Sequence, residues 1–193
     1  RLPMSALEAD AIATLAADYD VSMFTGFAAN VDAMKTDAVS EASVLHIATH
    51  GFVDDELPER NGLALSVRTA DGRSRPGFFG LRDIYELRLN AELVVLSACD
   101  TALGRDMAGE GLLGLTRGFM LAGASRVLAS LWPVEDRATA ELMEHFYEAL
   151  LIQKQAPPAA LAYAKQQMQA QRRWRHPYFW SGFVLLGDWA PLQ

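Results

Sequence analysis

Apolar positions along this chain fall into two kinds of run. Short, nearly unbroken apolar stretches recur at residues 44–49 (VLHIAT), 92–98 (ELVVLSA), 126–132 (RVLASLW) and 180–186 (WSGFVLL). Runs of this length, bounded by polar residues or glycine, belong to strands buried on both faces. Stretches with helical spacing lie between them. Residues 111–122 form one, closed by Gly123, a residue suited to a helix C-terminus. Residues 136–151 form another, with Leu142, Phe146 and Leu150 on one stripe, and 158–172 a third. Near the start, Ser5 and Glu8 have capping-box spacing and predict a helix over 5–18. A short strand is expected over 21–27 and a helix over 31–39. Residues 62–69 and 73–79 predict a hairpin turning at Asp71 and Gly72, followed by a short helix over 81–87.

Strands alternating with helices place the chain in the α/β class, with a mostly parallel sheet covered on both faces. Neither a repeat nor a linker interrupts the 193 residues, so one domain over 1–193 is expected. The chain starts at Arg1 rather than Met, which reads as a piece of a longer protein. A composition of 51% hydrophobic and 21% charged residues is that of an ordinary globular domain. The net charge of −7 argues against nucleic acid or an anionic membrane as the main partner, because both would repel it. A single cysteine, Cys99, excludes an internal disulfide and a multi-cysteine zinc site. It fits a reducing compartment, hence a cytoplasmic location. No apolar run approaches the ~20 residues of a membrane span, and no cofactor is implied.

Ligands of open α/β sheets bind beyond the carboxyl ends of the strands. Three of the apolar strands end there in polar residues. The first runs into Thr49, His50 and Gly51, the second into Cys99, Asp100 and Thr101, and the third into Pro133, Val134, Glu135 and Asp136. If these strands are neighbours, His50 and Cys99 share a rim, as a Cys/His nucleophile pair requires. A cysteine with pKa near ~8.5 is mostly protonated at neutral pH, and a nearby imidazole accepts that proton. The amides of Gly51 and Cys99 are then available to a developing oxyanion. The plainer alternative stays open on these residues alone: a buried cysteine filling space and a histidine bonded to a neighbouring carbonyl.

The ordered set LHIATHG, LSACDTALG, GEGLLGLTRGFMLAGASRVLASLWPVED, FYEAL and HPYFWSGFVLLGD resembles the CHAT family. That family is a caspase-like group of cysteine peptidases, related to caspases, metacaspases and separase. The resemblance runs from about residue 43 to residue 189 and implies a caspase-like three-layer α/β/α sandwich. It implies a catalytic dyad of Cys99 and His50 and hydrolysis of peptide bonds through an acyl-enzyme. It also implies a protein substrate and an upstream helical-repeat module as regulator. The third strand end corresponds to the segment shaping the main specificity pocket, which brings Asp100, Trp132, Glu135 and Asp136 forward as substrate-binding residues. Asp54, Asp55, Glu56, Asp106 and Glu110 add acid near the same rim, so a basic residue before the cut is expected, because a buried charge needs a partner. Asp136 is equally explained as a helix N-cap. The competing functional class is a non-catalytic scaffold that keeps the fold.

Several motifs are set aside. Gly109, Gly111 and Gly114 spell the dinucleotide fingerprint, but it begins some ten residues after the strand instead of directly at its end. The basic-aromatic stretch RRWRHPYFW (172–180) is better read as a helix end followed by a packed aromatic cluster. His46, four residues before His50 and so expected on the same face of a strand, reads as a core histidine with satisfied partners. His145 and His176 are isolated, and no metal-binding pattern accompanies them. An α/β hydrolase is excluded for want of G-x-S-x-G.

Overall fold

The computed structural model describes residues 4–52, 54, 57, 60–97 and 110–192. Its strands are β1 (Val44–Ile47), β2 (Gly51–Phe52), β3 (Gly62–Ala64), β4 (Phe78–Gly80), β5 (Leu93–Leu96), β6 (Arg126–Ser130) and β7 (Phe183–Gly187). Its α-helices are α1 (Ser5–Leu15), α2 (Asp37–Ser40), α3 (Leu81–Glu86), α4 (Glu110–Leu121), α5 (Asp136–Tyr147) and α6 (Pro157–Ala170). The main sheet has the order β1-β5-β6-β7. β1, β5 and β6 are parallel, and β7 closes the far edge antiparallel to β6. β2, β3 and β4 form a separate antiparallel sheet.

The continuous apolar runs explain the layering. Leu93, Val94, Val95, Val127 and Leu128 are fully buried, each contributing roughly 1.5–3 kcal/mol of hydrophobic burial. Alternation sends Leu93, Val95 and Leu128 into a core shared with Leu142, Phe146, Ala160 and Ala164 of α5 and α6, with Ile12 and Leu15 of α1 against it. Val94, Leu96, Val127 and Ala129 face the opposite core, with Ile84, Leu115 and Phe119 of α3 and α4 and Leu63 and Phe79 of the small sheet. The chain is thus an α/β/α sandwich, as its apolar pattern predicts.

The hairpin turns where Asp71 and Gly72 stand, with Gly72 at φ +86°, the left-handed region that glycine enters without a Cβ clash. Regular pairing is confined to Gly62–Ala64 against Phe78–Gly80, with one further bridge between Arg68 and Ser74.

Several expectations are corrected. Residues 21–27 form no strand, because no neighbouring strand offers them a ladder; Val21, Met23, Phe24 and Phe27 are exposed there. The helix expected over 31–39 is broken at Thr36, whose ψ of 157° separates a 3-10 turn (Ala33–Lys35) from α2. α5 gives way after Tyr147 to a π turn, Glu148–Ile152. Ser5 and Glu8 make no capping box: Met4 occupies the N-cap position without a side-chain bond, and Glu8 turns into the protein. β1 ends at Ile47, so strand alternation does not carry His50 onto the face of His46.

Gly123 ends α4 at φ +121°, and a Cβ there would lie 2.1 Å from the Leu89 carbonyl oxygen. Gly123→Ala is expected to cost about 1–3 kcal/mol, read as a lowered urea midpoint at unchanged slope.

Candidate active site

The parallel pairing of β1 with β5 sets the site. Ile47 stands opposite Leu96, and the Ser97 amide donates to the Ile47 carbonyl at 3.2 Å. Both strands therefore release their chains at the same end and in step. His50 is three residues beyond Ile47, and Cys99 three beyond Leu96. Cys99 and Asp100 lie outside the described residues, as do Asp55, Glu56 and Asp106.

His50 is partly exposed, between β1 and β2. Its backbone is stapled to the small sheet. The Ala64 amide donates to the His50 carbonyl at 2.8 Å, and the Thr49 hydroxyl donates to the Ala64 carbonyl. Both polar groups of Ala64 are thus given to the stretch carrying the imidazole. Gly51 opens β2 opposite Leu63 and is buried. With His50 and Ala64 hydrogen-bonded, alternation of an antiparallel ladder makes Gly51 and Leu63 a non-bonded pair. The Gly51 amide consequently points away from β3. Gly62 is needed nearby because the chain is crowded: a Cβ there would meet the Phe79 oxygen at 2.5 Å and the Phe78 ring at 2.8 Å.

The loop after β2 is anchored by a residue that local pattern reading passes over. Asn61 is buried, and its Oδ1 accepts from the Asp54 amide at 2.6 Å. Its carbonyl accepts from the Leu81 amide at 2.9 Å. The Asp54 carboxylate accepts from the Leu57 amide at 2.9 Å and lies 3.7 Å from Arg60. It serves the shape of its own loop. Asparagine before glycine in a turn-rich stretch is the faint sequence signal for such an anchor.

At the third strand end, Trp132 is partly buried and fixed from three sides. Its indole N–H donates to the Tyr178 carbonyl at 2.9 Å. Its ring stacks on Tyr178 with centroids 6.3 Å apart. Gly182 leaves it room, since a Cβ there would come within 2.7 Å of the indole. The Tyr178 hydroxyl donates to the Pro133 carbonyl at 2.7 Å. Glu135, not Asp136, occupies the N-cap position of α5, without a side-chain bond, and Asp136 sits in the first turn. There its charge favours the helix dipole. The basic-aromatic stretch is packed as expected. Trp174 is buried and donates to Glu141 at 2.8 Å, with Arg173 stacked over its ring. The glycine-rich fingerprint falls across the start of α4, with Gly111 and Gly114 inside the helix and β5 already ended at Leu96.

His46 lies on the face of β1 turned toward α1 and α5. Its Nε2 is 2.9 Å from Glu8 Oε1 and its Nδ1 3.1 Å from the Tyr147 hydroxyl. It is a histidine with both ring nitrogens partnered, as expected. No cluster of three potential metal-ligating side chains occurs among the described residues.

Comparison with known proteins places this arrangement. The model of the CHAT domain matches residues 1–188. The chain belongs to the CHAT domain family. CHAT domains are caspase-like, and the parallel sheet with helices on both faces agrees with that fold. Curated relatives include tetratricopeptide repeat protein 28 of Mus musculus, 42% identical over 106 residues, and that of Homo sapiens, 38% identical over 106 residues. In each case the match covers 55% of this chain and 4% of the relative. Among the described residues, no helix of this CHAT domain is long and apolar enough to cross a membrane.

The Thr49 staple gives a direct expectation. Thr49→Val keeps the shape but removes the donor to Ala64, and should lower stability by about 0.5–1.5 kcal/mol. Native-state hydrogen exchange should show faster exchange at Ala64 than at the core amides of β5.

Proposed function

We propose that this CHAT domain is a cysteine endopeptidase acting on protein substrates through Cys99 and His50. The observation that carries the reading is the in-step register of β1 and β5, which leaves the two residues the same number of positions beyond a paired Ile47 and Leu96. Family membership adds a caspase-like peptidase lineage.

The chemistry follows from the two groups. His50 takes the thiol proton of Cys99, and the thiolate attacks the carbonyl carbon of the scissile peptide bond. The carbonyl oxygen becomes an oxyanion, received by the amides of Gly51 and Cys99. The turned-away Gly51 amide suits this role. The tetrahedral intermediate collapses, the C–N bond breaks, and the His50 imidazolium gives its proton to the leaving amine. Water then loses a proton to His50 and attacks the thioester. The C–S bond breaks, the carboxylic product leaves and the thiol is restored.

For the residue before the cut we favour a basic side chain, with Asp100, Trp132, Glu135 and Asp136 shaping its pocket. Exposed Glu135 at the head of α5 and the immobilised Trp132 support a charged pocket with one rigid wall. A helical-repeat module is the regulatory partner we favour, in keeping with the relatives' name, tetratricopeptide repeat protein 28. That same name describes repeats and no catalysis. It leaves a second reading, a caspase-fold interaction module without turnover.

An irreversible thiol-directed peptide probe separates the two readings. Labelling should map to Cys99, vanish in Cys99→Ala and fall about 100-fold or more in His50→Ala. Labelling that ignores His50 removes the peptidase reading. In a peptide library, cleavage should follow Arg or Lys; cleavage mainly after apolar residues overturns the pocket assignment alone.

A further inference from the structure

We propose that Glu8, acting through His46, is a positioning residue for His50, an inference that rests on the peptidase reading above. β1 carries His50 just beyond its end, yet among the described residues it is bonded on one side only, to β5. The amides of Leu93 and Ser97 donate to the carbonyls of Ser43 and Ile47. In a parallel ladder, alternate residues face the same neighbour. Ser43, Leu45 and Ile47 therefore address β5, while Val44 and His46 turn their main-chain groups to the open side. Among the described residues, no backbone group pairs with them there. With that side open, side chains supplement the backbone bonds to β5 in holding β1.

On one face, Leu45 and Ile47 join the apolar core of α3 and α4. On the other, the decisive contact is polar. The His46 imidazole is tied to Glu8 of α1 at 2.9 Å and to Tyr147 of α5 at 3.1 Å, and its ring meets that of Tyr147 edge-on at 5.5 Å. Glu8 is 5% exposed and Tyr147 2%. Carboxylate oxygens accept, so Nε2 is the ring nitrogen placed to donate to Glu8. Burial, with the Glu8 charge adding to it, pushes the Tyr147 hydroxyl well above its ordinary value, so it stays protonated and can donate to Nδ1. Three elements thus meet at one imidazole, four residues ahead of His50.

Glu8 is also the one buried residue of α1 among the described residues. Lifting α1 breaks the Glu8 contact, and β1 then loses one of the two polar contacts that hold it on this face. Small displacements of a catalytic base are costly, since about 1 Å of misplacement reduces rates by as much as 100-fold. This ties the docking of α1 to the placement of the imidazole.

The test measures inactivation of the full chain by the thiol-directed peptide probe, separating the maximal rate from half-saturation. Glu8→Ala should lower the maximal inactivation rate about tenfold while half-saturation moves less than about twofold. Glu8→Gln, which keeps an acceptor for Nε2, should restore most of that loss. A folded Glu8→Ala protein, with unchanged circular dichroism and a rate within about twofold of wild type, overturns the proposal. A role in stability alone would lower the melting temperature and leave that folded-state rate unmoved. If Glu8→Ala fails to fold, Glu8→Met decides: it fills the same space and removes the acceptor from Nε2. A rate lowered about two- to fivefold supports the proposal, and an unchanged rate overturns it. Wild-type labelling that is indifferent to His50→Ala overturns the peptidase reading and this inference together, whereas His50-dependent labelling with an unaffected Glu8→Ala rate overturns the inference alone.

Discussion

β5 and β6 have no solvent face, and the remaining architecture follows from that constraint. Strands apolar on both sides need a cover on each, so helices accumulate in two layers. Parallel strands need long crossovers, so the chain leaves each strand at one common end before returning through a helix. That end is where His50, Ser97 and Trp132 are delivered. Burial of a few valines and leucines thereby determines the end of the sheet at which these chains emerge.

The polar parts of the structure refine what burial roughly sets. Ala64 gives its amide to His50 and its carbonyl to Thr49, which fixes the turn out of β1 to a separate sheet. Asn61 holds the start of the following loop from a buried position. Trp132 is clamped between Tyr178 and the bare backbone of Gly182. Each contact acts at the end of an element, where the apolar core no longer constrains the chain.

Legibility in the sequence divides along the same line. The inner strands were readable because unbroken runs such as ELVVLSA have few other uses, and Asp71-Gly72 announced its turn. Residues 21–27 have the composition of a strand but lack a partner, and composition carries no information about partners. Glu8 was misread for a related reason. Its spacing from Ser5 fits a local cap, while its actual contact lies 38 residues away on His46. The strand end at His50 is legible in the sequence, whereas Cys99, expected to match it, lies outside the described residues. The Ala64 staple was not legible, because an alanine contributes only its backbone there.

The last residues of the chain have a use that their exposure conceals. Arg126 is 2% exposed at the start of β6, and its guanidinium donates to the Ala190 carbonyl at 2.7 Å and toward Asp188 at 3.4 Å. A cation removed from water depends on such acceptors, and losing them leaves it uncompensated. Residues 188–190 therefore act as a plug over an internal positive charge. Trimming the protein back to the end of β7 for crystallisation or fusion would uncork that charge beneath the sheet, although the segment removed looks like a dispensable tail.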